Sequence, residues 1–506
     1  MTESRKKVAL VAAAAVLLAG CSTTTGGGGG GSGDPTDQDL TAAGTYPVES
    51  LDPHGAQGAS TGTQLAAQAI FSRLVRPDAD GKVTGDLAER WAPGATAATW
   101  NFTLRKGVTF SDGKPVTAAD VVASFDRMMT LDGPNAGNFP DYTMTAPAAD
   151  EVTLTAPAPD ASIPRKLGLF YVIPASVTAT DTAFFEKPVG SGPFTVDRFA
   201  PSEVLALSPN AKYWGDKPRL SHVEIRNIPD LSARLTALRT GEVDVVWGIP
   251  DDQLSVLRDE DSLTVETVPS TAVFTMWFNS SIPALATPQV RRALWQAVDF
   301  TTIIKSLYPE TGAPADAPVA PPVLGYAKQK PVTFDAAAAK TALQNAGFDF
   351  GQKLRLQFSD AEFRPFVQAV ASGLAEIGVQ AEVLEKEKAV FTEDLIALNW
   401  DINFQQLATP TYDAASNLGR LYPCAAKRTG YCNPELDSLL AKAGASADEK
   451  ERADLYGQAS EIIWRDAVGM YPMAVKLAYA WHKGLDGFTP EPSGLPDFAG
   501  VRFTGA

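Results

Sequence analysis

The chain is expected to be an α/β protein with more than one domain. Strand and helix patterns alternate along most of its length. One stretch, from about 354 to 383, has the order strand, helix, strand. The 506 residues also exceed what one hydrophobic core holds, since cores stop growing at about 250–300 residues. Composition is that of an ordinary globular protein, with 45% hydrophobic and 20% charged residues. The net charge of −16, from 43 basic and 59 acidic residues, argues against a nucleic-acid partner. Phosphate binding needs a basic surface.

The N-terminus carries a targeting pattern. Arg5, Lys6 and Lys7 form a basic start, and Val8 to Leu18 is an apolar run too short to span a bilayer as a mature helix. Leu18-Ala19-Gly20-Cys21 follows, and small residues before a cysteine resemble the bacterial lipobox. That pattern makes residues 1–20 a lipoprotein signal peptide and Cys21 the lipidated first residue, with the protein anchored outside the cytoplasm. The alternative is an ordinary signal peptide that contains a cysteine. Residues 21–35 include six consecutive glycines, Gly26 to Gly31, and are expected to form a flexible tether. Its r.m.s. reach is about 20 Å. No other segment approaches eighteen apolar residues.

Further on, Trp100, Phe102 and Leu104 alternate as on one strand, and Val108 and Phe110 are placed on the next. A turn follows at Asp112-Gly113. Thr117 then opens a helix, with Asp120 in the capping-box position and Val121, Val122, Phe125, Met128 and Met129 as its apolar stripe. Thr287-Pro288 starts another helix, with Val290, Leu294, Ala297 and Val298 facing inward. Leu354, Leu356 and Phe358 mark a strand, a helix runs to about Gly378, and Val379, Ala381 and Val383 mark a second strand. This βαβ unit predicts a parallel pair. Pro/Gly-rich stretches at 132–140, 156–164 and 309–331 read as loops. Cys424 and Cys432, eight apart in an oxidising compartment, are expected to be bridged; the alternative is two free thiols.

Several stretches together resemble extracellular solute-binding protein family 5, the substrate-binding lipoproteins of oligopeptide, dipeptide and nickel ABC importers. They are Leu51-Asp52-Pro53, Phe71-Ser72-Arg73-Leu74-Val75, Gly85 to Trp91, Leu104 to Phe125, Gly190 to Phe194, Asn210 to Pro218, Leu238 to Val245, Asn279, Val290 to Leu294 and Ala297-Val298-Asp299. The run LRKGVTFSDGKPVTAADVVASF is the most specific. The resemblance implies a two-lobe type II periplasmic-binding-protein fold (cluster C), with an extra domain inserted in the first lobe. The implied boundaries are 36–77 for the first segment of lobe 1, 78–187 for the insertion and 188–268 for the second lobe 1 segment. Lobe 2 would cover 269–479, and 480–506 would return to lobe 1. It also implies a small peptide ligand held between the lobes by hinge closure. The implied partners are ABC permease subunits with cytoplasmic ATPase subunits. A monomer without cofactor, and no catalysis, is expected.

The same resemblance suggests ligand-binding residues. In the dipeptide-binding relatives an Asp upstream of a disulfide cysteine holds the peptide ammonium, and Asp413 matches it by position before Cys424. Those relatives also place an Arg-Pro after a strand of the second lobe, where the Arg binds the peptide carboxylate; Arg364-Pro365 matches. The longer Gly/Asp-rich run of those relatives is missing; the chain reads Ala408-Thr409-Pro410-Thr411 there. Trp277, Phe278, Trp400, Phe404 and Tyr412 are candidates for the cleft wall, with core packing as the default for most.

Other function classes fit less well. Gly58-Ala59-Ser60-Thr61-Gly62 matches the G-x-S-x-G of serine hydrolases, but no apolar strand precedes it, as the nucleophile elbow requires. Gly81-Lys82 and Gly113-Lys114 are not followed by Ser or Thr, so the chain carries no phosphate-binding loop of its own. His54, His222 and His482 have no ligand-like spacing, so no metal site is expected. A nickel chelate, haem or another solute in the same cleft is the rival ligand class.

Overall fold

The computed structural model describes residues 38–504. The proposed signal peptide, Cys21 and the glycine tether lie outside these residues. Two long antiparallel strands, Leu263–Phe278 and Gly469–His482, run through an 11-stranded sheet. Five strands flank one end of this pair: Phe194–Ala200, Val204–Pro209, His222–Asn227, Asp39–Gly44 and Val245–Trp247, the last paired with Tyr479–Trp481. At the other end, Ile402–Ala408 pairs with Ala272–Phe278, followed by Lys353–Phe358 and Gln380–Glu385. Each half has its own core, one around Val223, Leu205 and Ile70, the other around Phe274, Phe366 and Trp464. This is the two-lobe α/β architecture that the sequence predicts.

The register of the two long strands breaks between Pro269 and Val273, where the ladder passes from one lobe to the other. Pro269 has no backbone N–H to give to the ladder, and bulged strands bend more readily. A side chain bridges the interruption: the Ser270 hydroxyl donates to the Val475 carbonyl at 2.8 Å.

A separate four-stranded antiparallel sheet comprises Ala88–Pro93, Thr99–Leu104, Glu151–Thr155 and Thr143–Ala148, with helix Ala118–Leu131 and a core of its own. Trp100, Phe102 and Leu104 are buried as their alternation predicts. The helix starts at the expected cap: the Thr117 N–H and hydroxyl both donate to the Asp120 carboxylate, at 2.9 and 2.7 Å. From this helix, Arg127 forks onto Asp52 of the first lobe with two bonds of 2.8 Å. His54 packs against the same guanidinium, and its Nε2–H donates to the Tyr171 carbonyl, 2.8 Å away. Burial, opposed by that bond, pushes the His54 imidazole down to about 4. The Leu51-Asp52-Pro53 stretch therefore fastens the inserted domain to the lobe.

One expectation is corrected. Val108 and Phe110 are buried but form no strand; a single bridge pairs Thr109 with Pro115 around the Asp112-Gly113 turn. Pro115 cannot donate, so the ladder stops there. Gly113 sits at φ +95°, a conformation that favours glycine. The helix at Pro288–Gln296 begins after Thr287, and Val290, Leu294, Ala297 and Val298 are buried. The βαβ unit also forms as predicted, with Leu354 and Leu356 parallel to Ala381 and Val383. Cys424 and Cys432 form a disulfide.

Candidate functional site

A cavity of about 340 Å³ lies where the two lobes and the inserted domain meet. Gln64, Gln68, Arg73 and Arg76 of the first lobe form one wall, and Asp78, Asn135 and Leu169 of the insertion close one side. Thr271, Ala408, Pro410 and Tyr412 come from the second lobe, and Glu491, Ser493 and Asp497 from the C-terminal segment. A larger hollow of about 800 Å³ follows the seam between the insertion and the second lobe. Its two acids are already engaged, Asp160 by Lys166 at 2.6 Å and by the hydroxyls of Ser162 and Tyr142, and Asp437 by the Cys424 N–H at 2.9 Å. The smaller cavity keeps its charges in hand and is the better candidate.

Local structure explains how the first-lobe wall is built. Ser72–Arg73 pairs with Tyr171–Val172, and Val75–Pro77 pairs with Val83–Gly85. Leu74 and Val75 are buried, which leaves Arg73 and Arg76 as the polar positions of the segment. The Arg73 guanidinium rests over the Tyr171 ring at 5.3 Å and gives one bond, 3.2 Å, to the Gly168 carbonyl. Asp78 caps its own turn, accepting from the Asp80 and Lys82 N–H groups at 3.1 and 2.9 Å. The C-terminal segment is tied down by Gln68, whose amide donates to the Leu495 and Pro496 carbonyls at 3.1 and 2.9 Å. The Tyr479 phenol donates to the Glu491 carbonyl at 2.6 Å, which fixes the backbone while leaving the Glu491 carboxylate unpaired among the described residues. Burial, with Asp497 nearby, pushes that carboxyl up to about 7.

The sequence-predicted site residues separate into three groups. Tyr412 lines the cavity. It adopts φ +55°, a left-handed conformation that costs a tyrosine energy, and its ring packs on Gly81, where a Cβ would come within 2.6 Å of the ring. Burial raises the Tyr412 phenol well above its ordinary value.

Asp413 follows directly but does not line the cavity. It is fully buried, with Arg452 at 2.6 Å and Arg165 at 3.6 Å. Its other oxygen accepts from the Ala415 N–H at 2.9 Å. The carboxylate expected to meet a ligand ammonium is thus occupied by two guanidiniums of the protein. Arg364, expected to bind a carboxylate, is half-exposed, starts helix Arg364–Glu376 and is paired with Glu385 at 2.7 Å, away from the cavity wall.

The remaining aromatics belong to the second-lobe core, the default given to most of them. Trp277 donates to the Tyr422 phenol at 2.9 Å, Trp400 to the Leu395 carbonyl at 3.3 Å, and Phe404 packs edge-on against Phe274 at 5.1 Å. Arg73, Arg76 and Glu491 were not singled out by sequence. Arg73 stands in a stretch used only for its family likeness, Arg76 directly follows that stretch, and nothing local brings Glu491 to them across more than 400 residues of chain.

Ser60 of the G-x-S-x-G match caps helix Thr61–Ile70, accepting from the Thr63 N–H at 3.3 Å. Among the described residues, no cluster of three or more His, Cys, Asp or Glu could hold a metal, and no helix is long and apolar enough to cross a membrane.

Two lobes sharing two long strands around a charged cavity define a solute-binding protein of the type II periplasmic class. Residues 82–429 match the family described as bacterial extracellular solute-binding proteins, family 5, and the chain belongs to that family. A probable D,D-dipeptide-binding periplasmic protein of Escherichia coli (strain K12) is 28% identical over 446 residues, covering 83% of this chain and 86% of that protein. The solved structure of the ABC transporter-associated periplasmic binding protein DppA from Helicobacter pylori, in complex with peptide STSA, superposes with a TM-score of 0.75 at 23% identity, covering 93% of this chain and 98% of that one. The crystal structure of NikA from Brucella suis, in complex with Fe(III)-EDTA, superposes at 0.82 with 22% identity, covering 92% and 100%.

Proposed function

We propose that this chain is the extracytoplasmic substrate-binding component of an ABC importer and that it captures a short peptide between its lobes. The observation that carries the reading is the cavity of about 340 Å³ walled from both lobes, with arginines and an unpaired carboxylate on its surface. Ligand sites run from about 300 to 1,000 Å³, so this one suits a compact ligand. The similarity to a D,D-dipeptide-binding protein and to a peptide-bound neighbour points the same way. Closure would bend the shared strands near the register break at Pro269, and a ligand that touches both walls favours the shut state.

The loaded protein would then dock on permease subunits, whose cytoplasmic ATPase partners supply the energy that this chain cannot. Cys21 would hold it at the membrane as a lipid-anchored monomer, and no catalytic step is assigned to it. Thermal melting of the whole chain in detergent tests the ligand class. Addition of a mixture of di- and tripeptides should raise Tm, whereas nickel–histidine and haem should not. A shift with nickel–histidine alone would move the assignment to metal-chelate import.

A further inference from the structure

We propose that this cavity reads both charged ends of a short zwitterionic peptide from the first-lobe side. Glu491 takes the α-ammonium, and Arg73 with Arg76 takes the terminal carboxylate. The inference rests on the peptide reading above and goes further by naming the recognition groups and the ligand's length class.

The cavity wall carries charges that the protein has left largely unused. Of the three acids on the wall, Asp78 is spent on its turn and Asp497 lies 3.7 Å from Arg76. Glu491 makes no side-chain hydrogen bond or ion pair among the described residues, although it is largely withdrawn from solvent. The Arg73 guanidinium meets only the Gly168 carbonyl and the Tyr171 ring, and no carboxylate lies within ion-pair distance among the described residues. Arg76 has the single long contact to Asp497.

Asp86 stands behind both arginines and accepts from the Arg73 N–H at 2.8 Å, so the cavity face of each guanidinium and the Glu491 carboxylate are left to offer charge of both signs to a ligand. A purely anionic ligand would satisfy the arginines and repel Glu491, and a purely cationic one would do the reverse. A zwitterion satisfies both, and charged groups removed from water need such partners. The volume of about 340 Å³ sits at the small end for ligand sites, so the two ends belong to a di- or tripeptide rather than a long chain.

Titration supports the same assignment. Glu491 is faced by Asp497 and Asp78, which raise its pKa, and by Arg76 and Arg73, which lower it; Tyr412 and Tyr479 complete its surroundings. Burial outweighs the arginines and holds the carboxyl near 7. An arriving ammonium would favour the ionised form, so binding near pH 7 should release a proton. Affinity should fall as pH drops below that value, by up to about tenfold per unit.

Calorimetry on the whole chain in detergent tests the proposal. The tightest member of an Ala-X dipeptide panel, its N-acetylated form and its C-amidated form are titrated into the wild type, Glu491→Gln and the double variant Arg73→Gln/Arg76→Gln. In the wild type each blocked form should bind at least about thirtyfold more weakly. N-acetylation should cost little further in Glu491→Gln, and amidation little further in the arginine double variant. Paired buffers of unequal ionisation heat should show proton release in the wild type and none in Glu491→Gln, whose folding is checked by its melting curve. Free dipeptide binding to the wild type with full sensitivity to acetylation retained in Glu491→Gln would overturn this assignment and leave the peptide reading standing. A folded wild type that binds no di- or tripeptide would overturn both.

Discussion

Asp413 offers the sharpest test of how structure and sequence divide the work in this protein. Its carboxylate is fully buried and lies 2.6 Å from Arg452, which is itself buried, and 3.6 Å from Arg165. Arg165 comes from the segment before the first-lobe strand Phe194–Ala200, and it also donates to the Tyr412 carbonyl at 3.2 Å and to Glu449 at 2.9 Å. Asp413 thus pairs with Arg452 and shares Arg165 with Glu449 at the seam between the insertion and the second lobe. Asp413→Ala leaves Arg452 buried without its counter-charge, while Arg165 retains Glu449. Breaking a buried pair in this way costs about 3–5 kcal/mol. For a cooperative unit of 150–250 residues, each kcal/mol shifts Tm by about 2–4 °C, so the fall should be about 6–20 °C.

Differential scanning calorimetry on the wild type and Asp413→Ala reads this directly. Pairing Asp413→Leu with Arg452→Met should recover part of the loss, because apolar replacement removes the stranded cation as well. An Asp413→Ala protein that melts like the wild type but has lost peptide affinity would refute the structural role. It would restore Asp413 as the ligand's ammonium partner.

Three further outcomes are expected. Cys21→Ser should release the protein from the membrane fraction; a variant that stays membrane-bound would remove the lipobox reading. Reducing the Cys424–Cys432 disulfide should lower stability by about 2–3 kcal/mol in the chain-entropy model, measured by denaturant unfolding with and without reductant. His54 should make stability fall on acidification: its folded value near 4 lies below the ordinary value of 6.5, so between these pH values the unfolded chain binds a proton that the folded chain does not. The full effect is about 3 kcal/mol, present above pH 6.5 and lost by pH 4, and a His54→Gln variant should show a flatter dependence of Tm on pH.

The fold was largely legible in the sequence because its signals are local and periodic. Trp100, Phe102 and Leu104 alternate, Thr117 and Asp120 form a reciprocal cap, and Val290 to Val298 repeat at helical spacing. The hairpin at Val108–Phe110 was misread because its ladder is stopped by Pro115, an effect that alternation alone does not register. The site was less legible. Charge type and position before a cysteine pointed to Asp413, yet nothing in the local sequence shows that Arg452, 39 residues on, fills its place. Arg364 likewise has the right neighbours in sequence, while its partner Glu385 comes from the adjacent strand of the βαβ unit. Glu491 meets Arg73 and Arg76 only because the C-terminal segment returns to the first lobe, which is tertiary information.

The central claim is that the cavity between the lobes holds a short peptide. Mass spectrometry of the protein purified without denaturation, followed by analysis of the small molecules released on unfolding, addresses it with no assumption about sequence preference. The account predicts released di- or tripeptides with free amino and carboxyl ends, and their loss from preparations of the Glu491→Gln variant. Release of a metal chelate or haem in stoichiometric amount, with no peptide, would contradict it.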